Sequence, residues 1–258
     1  ASWNVTTLPL AKLKDGSGNP QPVTTVPELG QVSGSAGKRY RMVFVGTGKY
    51  LGISDIGNTQ VQSMYGLKDA GIAAATIDGR GTLVQQTLST SGTTRSATFA
   101  KVNLETMNGW LVDLPVSGER VNTNPALNFG VLAFTTNVPS DDACSIYGGS
   151  SWLNYLDYKT GGAIKLSTGA YSPASEFLGG ALASGVTAIV TDGTLRVTGV
   201  RSGVLNPSGG SGGGSGGGLI FERKLPIPGT TARDMWRELI NKEKRNTRAR
   251  PVLCLPGT

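Results

Sequence analysis

The side chains that perform most enzyme chemistry are scarce in this sequence. Its 258 residues include no histidine and two cysteines, Cys144 and Cys254. That excludes serine–histidine and cysteine–histidine nucleophiles, histidine-bearing zinc sites and histidine-ligated haem, and two thiolates cannot hold a four-cysteine cluster. The remaining candidates fail the geometry that each chemistry needs. Gly46-Thr47-Gly48-Lys49 looks like a phosphate loop, but the Walker pattern needs a glycine five positions before Gly-Lys and a hydroxyl residue after it. Val43 and Tyr50 stand at those positions, so a tight turn that lets Tyr50 and Leu51 repack is expected. Ser35-Ala36-Gly37-Lys38 spells the S-x-x-K of some acyl transferases, yet it sits in a Ser/Gly loop rather than at a helix start. Asp15-Gly16-Ser17-Gly18-Asn19 begins like a calcium loop but lacks the further carboxylates a hard cation requires, so it reads as a turn. Asp141-Asp142, near Cys144, read as exposed loop residues, and Asn4-Val5-Thr6 is a glycosylation sequon. Aromatic residues beside carboxylates occur twice, at Trp110 with Asp113 and at Trp152 and Tyr155 with Asp157. Both places could stack a sugar ring, although a core aromatic beside a turn carboxylate is the simpler reading.

The elements that must carry these residues read as strands. Tyr40–Val45, Thr82–Leu88, Arg95–Val102, Trp110–Leu114, Gly130–Thr136, Trp152–Leu156, Val186–Val190 and Thr194–Val197 are short runs rich in β-branched, aromatic and aliphatic residues, and turn residues divide them. Asp192-Gly193 between two such runs predicts a two-residue hairpin. No long helical period interrupts the series, so the expected class is all-β. The pattern V-x-T-x-P-x-L occurs at Val23–Leu29 and again at Val121–Leu127, 98 residues later, each time ahead of an apolar strand. Such a repeated strand entry suits a β-propeller with blades of roughly 40–50 residues.

Net charge is +7, and it is uneven. Residues 1–218 hold 15 basic and 13 acidic groups, whereas residues 219–258 hold nine and four. A nucleic-acid footprint across the body is therefore not expected, nor is a membrane span, because no apolar run approaches ~18 residues. Residues 207–218, Pro-Ser-Gly-Gly-Ser-Gly-Gly-Gly-Ser-Gly-Gly-Gly, read as a flexible tether. The expected division is a body over 1–206, the tether, and a basic segment over 219–258 that returns to the body or docks a partner. Leu219-Ile220-Phe221 could open a strand. Thr231-Ala232-Arg233-Asp234 matches a capping box ahead of Met235, Trp236, Leu239 and Ile240, which share one helical face if a short helix forms over about 232–243. A strand there remains the alternative. The chain opens at Ala1-Ser2-Trp3 and reads as a mature, processed or fragmentary form.

Four stretches, taken in order, resemble the PilY/PilC family of type IV pilus tip adhesins and assembly factors. They are Gln21–Glu28, Val43–Gly52, Cys144–Leu153 and Trp236–Leu239, and the likeness extends over roughly residues 1–200 plus 233–240. The resemblance implies a non-enzymatic, secreted bacterial protein at the periplasm, outer-membrane surface or pilus tip of a Gram-negative cell. It implies a modified β-propeller, of which about three or four blades are visible here, and a role in pilus assembly, adhesion and twitching motility. Minor pilins, the rest of the adhesin and a host or surface ligand are the implied partners. The aspartate-rich calcium loop common in the family has no counterpart in this sequence, so no cofactor is expected. The extracellular setting favours a Cys144–Cys254 disulfide over two buried thiols; closing ~110 residues would stabilise the fold by roughly 4–5 kcal/mol in the chain-entropy model. The alternative function is a carbohydrate-binding or glycan-hydrolysing propeller, using Trp110, Trp152, Tyr155 and Asp157.

Overall fold

A computed structural model describes residues 9–34, 37–71, 75–141, 148–191, 193–202 and 220–228. Those residues form four open β-sheets and no α-helix. The smallest sheet pairs β1 (Ala11–Lys12) in parallel with β5 (Ile77–Asp78). A five-stranded sheet runs in the order β2 (Glu28–Ser33), β3 (Arg39–Gly46), β4 (Ser63–Asp69), β9 (Gly109–Asp113) and β6 (Val84–Gln86). A six-stranded antiparallel sheet runs β10 (Ala126–Asn128), β11 (Val131–Pro139), β12 (Gly149–Asp157), β13 (Ser175–Gly179), β8 (Thr94–Ala97) and β7 (Leu88–Ser91). The last sheet joins β14 (Ala183–Thr191), β15 (Thr194–Arg201) and β16 (Ile220–Leu225).

Because side chains alternate along a strand, one strand can serve two cores. Met42 and Phe44 of β3, Met64 of β4, and Trp110 and Val112 of β9 meet Leu132 and Phe134 of β11 and Leu156 of β12 in a core between the two large sheets. The intervening residues point the other way. Val45, Tyr65, Leu67 and Leu111 pack with Ile77 under the small sheet. Val131, Ala133, Leu153 and Tyr155 pack on Leu195, Val197, Phe221 and Leu225 of the three-stranded sheet. Four sheets thus share three cores in series, and the two large sheets are apolar on both faces.

The V-x-T-x-P-x-L repeat marks a contact between sheets. Each copy leads into a short strand, β2 and β10, and the copies lie side by side: the Val26 N–H donates to Asn124 Oδ1 at 2.9 Å. Gly30 on β2 leaves the space that Leu127 on β10 fills, since a β-carbon there would lie 2.7 Å from Leu127 Cδ2.

Most expected strands form, with altered limits. The run at 186–197 is a hairpin in which Thr191 faces Thr194, and Gly193 adopts φ +69°. The run at 82–88 instead divides between two sheets, Val84–Gln86 and Leu88–Ser91, and the strand beginning near Arg95 ends at Ala97. Gln86 explains the break. Its fully buried amide donates to the Ala100 and Thr160 carbonyls and accepts from the Thr98 hydroxyl and the Ala100 N–H, doing at 98–100 what a neighbouring strand would have done. β16 extends the Leu219–Phe221 signal to Leu225 and pairs antiparallel with β15.

Candidate functional site

Three polar constructions stand out: one links side chains across strands, and two hold backbone in place. Deepest is the Arg95–Glu119 ion pair, with both side chains fully buried and two parallel bonds of 2.7 and 2.9 Å. Thr136 donates its hydroxyl to Glu119, Asn154 donates to Thr136, and Ser175 donates to Asn154, so strands β11, β12 and β13 share one polar seam. The Trp152 ring covers the Arg95 guanidinium at 3.7 Å, and Phe177 lies 5.0 Å from the Trp152 ring centre.

The second construction surrounds Gly46-Thr47-Gly48-Lys49. Lys49 pairs with Asp55 at 2.8 Å, and the same carboxylate accepts the N–H groups of Leu51 and Gly52. The Lys49 ammonium, helped by those N–H groups, holds the Asp55 carboxyl below its ordinary value. From beneath, buried Arg120 donates to the carbonyls of Lys49, Asp55, Asn58 and Gly118. The Gly48 N–H is spent on the Pro22 carbonyl and the Lys49 ammonium on Asp55, and residues 47–50 run as irregular loop instead of the tight turn expected. Nor does Leu51 repack. It is 78% exposed and Ile53 is 87% exposed, held outward by a loop whose backbone is fixed.

The third is the Asp15 turn. Its carboxylate accepts the backbone N–H groups of Ser17 and Asn19 and the side-chain amides of Asn19 and Gln60. These bonds, that from Gln60 foremost, hold the Asp15 carboxyl down at about 2. Such a carboxylate is already fully occupied by its own turn, and no group of three or more metal-ligating side chains occurs among the described residues.

The aromatic candidates lie inside the sheets. Trp110 is fully buried between the backbones of Gly66 and Gly161 and donates to the Tyr158 carbonyl at 3.0 Å. Trp152 is 6% exposed, and Tyr155 is 2% exposed with its hydroxyl on Glu176. Burial pushes the Tyr155 hydroxyl up, and it likewise raises the Asp157 carboxyl, which accepts the Lys159 N–H in a turn. The structure therefore offers no open aromatic face at Trp110, Trp152 or Tyr155, and Asp113 is taken up by Arg80, Ser63 and Gln85. Cys144, Cys254, Met235, Trp236, Leu239, Ile240, Ser35, Asp142 and the sequon lie outside the described residues.

Two features were missed by sequence reasoning. One is the braced Leu51/Ile53 projection, foreshadowed only by apolar residues flanking Gly52. The other is an apolar groove of about 270 Å³ on the outer face of the five-stranded sheet, lined chiefly by Leu10, Leu13, Val23, Pro27, Val43 and Leu67. Its lining comes from four separate segments, so no local motif announces it.

No protein-family model matches the sequence, and no solved structure does. Two curated relatives, both described as type IV pilus biogenesis factor PilY1 homologs of Xylella fastidiosa strain Temecula1, do match it. One is 33% identical over 166 residues, which is 60% of this chain and 11% of the relative. The other is 33% identical over 173 residues, 63% of this chain and 13% of the relative. The chain thus spans only a small part of the length of the proteins it matches. Over somewhat more than half of its length, this chain is homologous to the type IV pilus biogenesis factors of the PilY1 type.

Proposed function

We propose that the chain is a portion of the C-terminal β-propeller of a type IV pilus biogenesis and adhesion factor, acting without catalysis at the outer surface or pilus tip of a Gram-negative bacterium. The observation that carries this reading is the 33% identity to two PilY1 homologs over more than half of the chain. Sheets stacked face to face with one core between each pair agree with successive propeller blades. The polar groups agree with a supporting role, because the three most elaborate clusters are engaged in joining strands or holding loop backbone. Contacts with minor pilins, and with the remainder of the adhesin, are the means by which such a module would promote assembly and twitching motility. A Cys144–Cys254 bridge and a docking face of Met235, Trp236, Leu239 and Ile240 belong to the same proposal, which includes no cofactor.

The test is an in-frame deletion of the segment encoding residues 9–228 in the native gene. Loss of surface pili and of twitching, restored by the intact gene, is the expected result. Normal piliation with the truncated product present at the usual level would overturn the proposal. Selective binding of the purified, folded chain on a glycan array would move the reading to the carbohydrate-binding alternative. Mass analysis after alkylation without reductant tests the bridge, which predicts no modified cysteine.

A further inference from the structure

Among the described aromatic residues, Phe99 and Tyr171 are the two that stay exposed, at 37% and 47%. They also meet each other, with ring centres 4.9 Å apart and planes tilted by 42°. Fixed backbone displays each ring. On either side of Phe99, Gln86 bonds the Thr98 hydroxyl and both backbone groups of Ala100, and the Thr98 carbonyl accepts the Ala163 N–H. Tyr171 forms an antiparallel bridge with Lys165, which turns both side chains to one face. The Leu166 N–H donates to the Ala170 carbonyl at 2.8 Å and the Ser172 N–H to the Ile164 carbonyl at 2.9 Å, closing the turn between them. The chemistry around the rings is one-sided. Residues 96–102 and 159–174, which carry them, contain Lys101, Lys159 and Lys165 and no Asp, Glu, Asn, Gln or Arg.

We infer that Phe99 and Tyr171, with Lys165 beside them, form a docking site for an extended acidic segment of a partner protein. A proline or aromatic side chain of that segment covers the two rings, and its carboxylates face the lysines. Charge complementarity selects the acidic partner, because three lysines stand in these segments without a counter-charge of their own. The rings select polypeptide over glycan. Two planes tilted by 42° offer no single flat floor to a sugar ring, and the flanking segments lack the carboxylate and amide side chains that accept from sugar hydroxyls. Aromatic pairs on a protein surface are also what proline-bearing extended segments bind. Because the backbone on both sides is already fixed, little ordering entropy is lost on docking, and a tyrosine so held can carry much of the binding energy. This inference does not depend on the pilus reading, since it takes the partner's chemistry from this surface alone.

Amide chemical shifts of the isotope-labelled 258-residue chain, titrated with the end-blocked peptide Glu-Glu-Pro-Trp-Glu-Glu, test it. The expected result is saturable movement of the Phe99, Ala100, Lys165 and Tyr171 signals at millimolar peptide, weak because the contact is small. Tyr171→Ser should weaken binding about tenfold. The double variant Lys101→Glu/Lys165→Glu should abolish it and confer binding of Lys-Lys-Pro-Trp-Lys-Lys instead. All three positions are exposed, so the melting temperatures should match the parent, and circular dichroism checks this. An acidic peptide that moves none of the four signals overturns the proposal. So does binding that Tyr171→Ser leaves intact, or binding that the charge reversal leaves unchanged. Movement of the same signals by oligogalacturonate, with none by the peptide, also overturns it and gives the rings to an anionic glycan.

Discussion

At the scale of single residues, the decisive group is Glu119. A carboxylate without solvent contact is tolerable only because Arg95 supplies two bonds and Thr136 a third. Glu119→Gln should leave Arg95 buried without a counter-charge and lower the unfolding free energy by roughly 3–5 kcal/mol, measured by urea titration. Replacing both members together, as Arg95→Met/Glu119→Leu, should cost less than Glu119→Gln alone, because no charge is then stranded. Asp15 gives a pH signature. Its folded-state value is lowered from 3.8 to about 2, so its bonds stabilise the fold above 3.8, and that contribution is lost as pH falls toward 2. Asp15→Asn turns an accepting oxygen toward Gln60 into a donor. The variant should melt below the parent at neutral pH, and the gap should close as pH approaches 2 in a series of thermal scans. Asp15 was legible in the sequence as a turn residue, but the buried ion pair was not. Arg95 and Glu119 are 24 positions apart in unremarkable polar contexts, and only the fold makes them neighbours.

Between residues and the whole lie the strands, where sequence reasoning was strongest. Tyr40–Val45, Gly130–Thr136 and Trp152–Leu156 were visible because both faces of their sheets carry buried residues, which makes the runs rich in aliphatic and aromatic side chains. The Asp192-Gly193 hairpin was visible because a two-residue turn demands particular residues. Where a side chain replaced a strand partner, the pattern misled. Thr82–Leu88 reads as one strand, but Gln86 occupies the backbone groups of 98–100 and the chain changes sheet beyond it. Gln86→Leu keeps the volume and removes four bonds. It should destabilise the fold by ~2–4 kcal/mol, since buried backbone groups are left unpaired, and amide exchange should quicken at Ala100 first. The candidate surfaces were the least legible, because a groove shared by Leu10, Val23 and Val43 has no local spacing to detect.

For the molecule as a whole, the sheets stack in the order of their first strands, although β5 returns to β1, and β7 and β8 join the six-stranded sheet before β9 completes the five-stranded one. β16 closes the series: it reaches β15 from beyond residues 203–219 and brings Phe221 and Leu225 into the core against Leu153 and Tyr155. A chain ending at Ser202 should therefore retain the core between the two large sheets and melt at a lower temperature. A synthetic peptide of residues 219–228 added in trans should raise that temperature, and a melt unchanged by truncation would show that β16 contributes nothing.

That late strand also sets a clock on biosynthesis. Val131, Ala133, Leu153 and Tyr155 are made long before Phe221 and Leu225, so a growing chain carries their apolar face incompletely covered until residue 225 has left the ribosome or the translocation pore. During that interval the exposed edge of β15 is open to any passing strand. The arrival of β16 covers that edge and ends the interval.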